Sequence, residues 1–285
     1  MRRSPLTSRA VLTVAVALAV TGVGAGAGVL GGRRLLLRQA ALARAAIGKP
    51  LGEQGYPVDR VYQRSRGNPI TLLLVGDSIA AGLGADRRRR SLGVQLAKRL
   101  ALASDRAVRL VCAAEVGAET WQLVAQVDGL SADVHPDVTV VVVGGNDVIH
   151  RLKLSDSVAH LESTITTLRA GGSRVVVGTC PDLGALTAVP QPLRGLGRQA
   201  SRRLAAAQRN AAVRSGAYAV SLADALGPVF RSRAEEMFAV DRFHPSGAGY
   251  RRAAKALLPS VLASLDLLEV LPPGHHGPSR RLQAV

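Results

Sequence analysis

Ile70-Thr71-Leu72-Leu73-Leu74-Val75-Gly76-Asp77-Ser78-Ile79-Ala80-Ala81-Gly82 is the stretch on which the reading of this chain turns. Ile70 to Val75 is an apolar run of strand length that does not alternate with polar residues, as expected of a strand buried on both faces. Gly76-Asp77-Ser78 ends it abruptly, with residue types that satisfy backbone donors at a strand-to-helix turn. A hydroxyl nucleophile is thereby placed at the carboxyl end of a buried strand.

Outward from this stretch, strands and helices alternate. Strands are expected over 70–75, 107–113, 138–143, 174–179 and 217–221. Helices are expected over 91–103 (with Ser91 as N-cap), 119–130, 155–170, 198–214 and 246–265. A Pro- and Gly-containing connection fills 181–197. Repeated βα units imply a parallel sheet with helices on both sides, an α/β fold.

Ligands of open parallel sheets bind outside the carboxyl ends of the strands. Ser78 follows the first strand, Gly117 the second and Asn146, in Gly144-Gly145-Asn146-Asp147, the third. Asp241 and His244, in Asp241-Arg242-Phe243-His244-Pro245, precede the last helix. All can converge on one edge. Taken singly, each motif is also an ordinary turn or capped helix start; their order, each after the right element, is what carries weight. A nucleophile, a base with an orienting acid and oxyanion donors equip a site for acyl transfer.

These motifs resemble the blocks of the SGNH hydrolase family, the GDSL-type esterases, over about residues 70–265. Gly76-Asp77-Ser78 with Gly82 matches the nucleophile block, with Ile79 where the GDSL subgroup has Leu. Gly117, Gly144-x-Asn146-Asp147 and Asp241-x-x-His244-Pro245 match the other three. The resemblance implies a three-layer α/β/α sandwich around a five-stranded parallel sheet in flavodoxin-like order. It further implies a serine esterase with Ser78, His244 and Asp241 as the triad. The oxyanion hole would comprise the Ser78 and Gly117 N–H groups and the Asn146 amide. Nothing in the pattern asks for a metal or cofactor. The substrate would be a small-molecule or lipid ester, and a monomer is expected. An acyltransferase or deacetylase acting on an envelope glycan is one alternative, and a non-catalytic binding module on the same fold is another.

The chain has 285 residues and a formal net charge of +17. Residues 1–69 hold 11 basic and 2 acidic residues, so more than half of that charge lies outside the expected catalytic domain, 70–268. Aromatics make up only 3% of the chain and are not interleaved with the basic residues. Base-stacking platforms are therefore missing, and nucleic acid is not an expected partner. An anionic membrane or envelope surface suits the basic N-terminal region better.

Residues 10–32 carry no charge and are flanked by arginines, so 1–32 reads as a signal peptide or a transmembrane anchor. Export to the envelope or membrane attachment is expected, with a cytoplasm-facing anchor as the alternative. Residues 33–69 read as a basic helix and a polar linker, and 269–285 as a disordered tail.

Arg87, Arg88, Arg89 and Arg90 follow the nucleophile and suggest an electropositive rim, against the simpler reading of a solvated loop. Leu183 and Leu186 offer an apolar wall for an acyl chain. His135, His150, His160, His275 and His276 read as surface, helix or tail residues. Cys112 and Cys180 would lie about three strand spacings of ~4.8 Å apart, too far for a disulfide.

Overall fold

The computed structural model describes residues 30–43, 45–46 and 55–278. A helix α1 covers 30–43 and 45–46. The strands are β1 (Arg60–Tyr62), β2 (Ile70–Gly76), β3 (Val108–Cys112), β4 (Val138–Val142), β5 (Arg174–Gly178), β6 (Tyr218–Val220) and β7 (His275–His276). Between them run α2 (Ser78–Ala81), α3 (Leu92–Ser104), α4 (Leu123–Asp128), α5 (Gly145–His150) and α6 (Leu154–Ala170). Then come α7 (Leu193–Arg214), α8 (Leu222–Ser232), α9 (Ala234–Met237) and α10 (Gly247–Ser264).

The sheet order is β1-β3-β2-β4-β5-β6-β7. The inner strands β3-β2-β4-β5-β6 pair in parallel, in the flavodoxin-like order expected. Alternate residues of the non-alternating strands feed separate cores on the two faces of the sheet. Leu72, Leu74, Val140, Val142 and Val176 meet Leu92, Leu96 and Leu100 of α3 and Tyr250, Leu257 and Val261 of α10. Leu73, Val75, Val141 and Val177 meet Leu123 of α4, Leu161 and Ile165 of α6, and Ala212 of α7. Three layers result. Each fully buried leucine contributes about 2–3 kcal/mol of transfer free energy, so few aromatics are needed.

Two expectations change. The sheet has seven strands and is mixed, because both ends of the described chain add an antiparallel edge. Arg60–Tyr62, expected in the linker, pairs with β3. Val58 before it and its own Tyr62 are buried in the core, and the Asp59 carboxylate accepts from the Cys112 N–H at 3.1 Å. The folded unit therefore begins before Ile70. His275–His276, expected in the tail, pairs with β6, and His275 Nδ1 lies 2.8 Å from Ser260 Oγ. Polar and Pro/Gly-rich composition hid both strands, since edge strands need little apolar sequence.

Helix α8 was not expected, because Gly227 and Pro228 interrupt its pattern. Cys112 and Cys180 are both free, on β3 and just beyond β5. Among the described residues, no helix is long and apolar enough to cross a membrane. The expected signal or anchor, 1–32, lies outside the described residues except for 30–32, which open α1.

Candidate active site

The nucleophile turn is forced by its backbone. At Gly76 the chain has φ +143°, and a Cβ there would stand 2.0 Å from the Val142 carbonyl oxygen of the neighbouring strand. The buried Gln126 amide closes over it: Gln126 Oε1 accepts from the Gly76 N–H at 2.8 Å, and Nε2 donates to the Gly76 carbonyl at 2.9 Å. Asp77 then caps α2 by accepting from the Ile79 N–H at 2.9 Å. Ser78, first residue of α2, is 7% exposed at the sheet's carboxyl edge.

The base arrives from the far end of the chain. Residues 238–245 fold back on themselves, with a Phe238–Pro245 bridge and an Ala239 N–H to His244 carbonyl bond of 2.8 Å. Arg242 adopts φ +58° in this turn, and the Phe243 and His244 N–H groups both donate to Asp241 Oδ1 at 3.0 Å. Asp241 Oδ2 lies 2.6 Å from His244 Nδ1, and His244 Nε2 lies 3.1 Å from Ser78 Oγ. Burial pushes the Asp241 carboxyl up, but the imidazole and the backbone donors outweigh it and hold the group below its ordinary value. A carboxylate that stays ionised fixes the tautomer in which Nδ1 carries the proton and leaves Nε2 free to accept from Ser78.

Asn146 sits in the first turn of α5, and its Nδ2 donates to the Ala118 carbonyl at 3.0 Å. One amide hydrogen stays available, and the Gly117-Ala118 turn is tied to Asn146. Gly117 is exposed with φ +86°, and its N–H has no backbone acceptor among the described residues. Asp147 fastens the same loop: Thr120 donates to it from its N–H at 3.0 Å and from its hydroxyl.

A small apolar cavity of about 80 Å³ opens beside Ser78, Asn146 and His244. Its walls include Leu183, Ala185, Leu186, Leu226, Phe230 and Phe238. Leu183 and Leu186, expected as an apolar wall, are among the residues lining this cavity. Arg87–Arg90 form an exposed turn in which Arg90 pairs with Asp86 at 2.8 Å, and none of the four is among the residues lining this cavity. His150 lies on the rim side, 2.5 Å from Glu119 through Nδ1.

The sequence reading missed the supports. Gln126 and Gln208 are the clearest: Gln208 Nε2 donates to the Val143 carbonyl at 3.1 Å, and its Oε1 accepts from the Cys180 N–H at 2.7 Å. Both are glutamines at otherwise apolar helix positions, which is the only local sign. Asp77 is a second case. Burial above all, then the Asp147 charge, push its carboxyl up to about 7 against the pull of its N–H donors.

That shift has a measurable consequence. An acid with a folded pKa above its unfolded value of about 3.9 stabilises the fold fully at low pH, and loses that contribution as pH rises through about 7. Asn at position 77 retains an acceptor for the Ile79 N–H but carries no charge. The melting temperature of Asp77→Asn should therefore gain on wild type steadily from pH 4 to pH 8. A gap that stays constant with pH would show that Asp77 ionises normally in the fold.

Comparison with known proteins finds relatives of this chain. Residues 74–252 match the model of the GDSL-like lipase/acylhydrolase family. The chain is 37% identical over 280 residues to the GDSL-like esterase Rv1075c of Mycobacterium tuberculosis, with 94% of this chain and 88% of that protein covered. The crystal structure of TesA superposes with a TM-score of 0.53 at 26% identity, covering 70% of this chain and 99% of that one. A lipase from a goat rumen metagenome superposes with a TM-score of 0.55 at 16% identity, covering 68% and 97%, a likeness of fold alone.

Proposed function

As a member of the GDSL-like lipase/acylhydrolase family this chain is a carboxylic ester hydrolase, and we propose that it works through an acyl-enzyme on Ser78. The observation that carries this reading is the relay from Asp241 Oδ2 through His244 to Ser78 Oγ, with contacts of 2.6 and 3.1 Å.

In the proposed cycle His244 Nε2 takes the Ser78 proton as Oγ attacks the ester carbonyl. The negative oxygen of the tetrahedral intermediate is held by the Ser78 and Gly117 N–H groups and by the free Asn146 amide hydrogen. Loss of one such donor costs about 3 kcal/mol of transition-state stabilisation. His244 then gives its proton to the departing alcohol oxygen as that bond breaks. Water repeats the attack on the acyl-enzyme with His244 again as base, and the acid leaves. Asp241 holds the ring and balances the imidazolium without taking the proton.

A fluorophosphonate tests this directly, because only a nucleophilic serine with a working base is phosphonylated at a useful rate. The full-length chain should gain one adduct, and peptide mapping should place it on Ser78. An unlabelled protein, or label on another residue, would refute the acyl-enzyme.

We further propose that the enzyme acts at the cell envelope, attached or exported through residues 1–32. The support is the uncharged stretch 10–32, with α1 exposing Leu30, Leu35, Leu37 and Leu42 beside Arg33, Arg34 and Arg38. Apolar and cationic residues together suit a helix lying against an anionic bilayer.

A further inference from the structure

A second and larger cavity, of about 810 Å³, runs from His244 and Phe243 out beneath α1. From the hydrolase it is lined by Val148, Ile149, Val189, Leu193 and Leu196, and from α1 by Leu36, Ala40 and Ala43. Leu36, Ala40 and Ala43 are spaced four and three apart, so they share one helix face. Gln39, on the same face and 6% exposed, fastens α1 in place. Its Nε2 donates to the Gln191 carbonyl and its Oε1 accepts from the Leu193 N–H at 3.0 Å. Helix α1 lies outside the family match, which starts at residue 74.

The two cavities differ in what they touch. The small one meets Ser78, Asn146 and His244, whereas the large one meets His244 but neither Ser78 nor Asn146. An ester carbon bonded to Ser78 Oγ, with its oxyanion towards Asn146, has two groups left to place. The departing alkoxide must reach His244 Nε2, which protonates it. The large groove meets His244 alone of these three residues, so the alcohol is assigned to it and the acyl group to the small cavity.

We propose that the substrate is an ester of a short acyl group with a large apolar alcohol, and that α1 forms one wall of the alcohol site. The proposal rests on the ester-hydrolase reading above and gives it a direction. Leu36, Ala40 and Ala43 would then determine specificity for the leaving group without touching the reacting atoms. Continuity with His244 identifies the occupant, since a chain leaving Nε2 through this groove meets a mostly aliphatic lining, with His150, Arg151 and Arg194 among its other members.

Two isomeric esters test the direction on the full-length wild type. Decyl acetate and ethyl decanoate contain the same atoms and exchange only which side of the carbonyl is long. The expected result is a kcat/KM for decyl acetate higher by about tenfold or more, since several methylenes are desolvated in the groove. Equal turnover of the isomers, or preference for ethyl decanoate, would overturn the assignment. Turnover of neither, together with no phosphonylation of Ser78, would overturn the hydrolase reading as well, so the failures are distinguishable.

The role of α1 has its own readouts. Decan-1-ol added to wild type should slow amide exchange in residues 36–43, and unchanged exchange there would remove α1 from the site. Ala40→Trp and Ala43→Trp should each lower kcat/KM for decyl acetate about tenfold more than that for ethyl acetate. Either variant with full ethyl acetate turnover and an unchanged kcat/KM for decyl acetate would also remove α1 from the site.

Discussion

Ser78→Ala and His244→Ala should each lower kcat on an activated acetate ester by about 10⁴–10⁶-fold, with the circular dichroism spectrum of wild type. The size follows from cooperation. Ser78 without a base is an ordinary alcohol, and His244 without Ser78 Oγ at 3.1 Å has only water to activate. The double variant should be little worse than either single one, because the two residues act as one unit. Neither change removes a member of the hydrophobic core: Ser78 and His244 both line the cavity beside the site. Turnover within tenfold of wild type in either variant would show that the 3.1 Å contact is not the catalytic one.

Gly76→Ala is expected to have the largest effect on folding, about 4 kcal/mol or more. The new methyl carbon would meet the Val142 carbonyl oxygen at 2.0 Å, and that oxygen belongs to the backbone of the central strand β4. Neither strand can yield, since β4 pairs along its whole length with Leu72–Gly76 of β2 and both stretches are buried. The Gln126 clasp on Gly76 would be distorted too. A drop in melting temperature of roughly 8–16 °C should follow. Gly117→Ala makes the comparison sharp. It also has a positive φ, of +86°, but a Cβ there meets nothing within 4 Å, so only backbone strain of about 1 kcal/mol opposes it. Equal destabilisation by the two substitutions would mean that strain, and not the Val142 contact, dominates at Gly76.

The parallel sheet and the convergence of Ser78, Asn146, Asp241 and His244 were legible in the sequence because both rest on strong local signals. Strands buried on two faces must be continuously apolar, and residues that follow such strands must meet at one edge. What stayed hidden depends on distant partners. Val58, Tyr62 and the β1 pairing come from a stretch whose polar and glycine-rich setting reads as linker. Gln126 and Gln208 are ordinary helix residues until the carbonyls and N–H groups at the strand ends need partners. The Arg87–Arg90 run was conspicuous in sequence, yet it turns outward and pairs locally with Asp86. Charge density is visible in a sequence, whereas the direction in which a loop faces is not.

Strands β1 and β7 are the first and last strands of the described chain and cover opposite margins of the sheet. A bare margin of β3 or β6 would present unpaired N–H and carbonyl groups, a template on which another copy could add its own strand. The short strands β1 and β7 cover those margins instead, a duty separate from chemistry. Because β7 follows every residue of the site in the chain, a nascent chain emerging from the ribosome carries its nucleophile long before its β6 margin is sealed. A C-terminal cut before His275 should consequently reveal itself first as clumping at high concentration, while the residues that meet the ester remain in place.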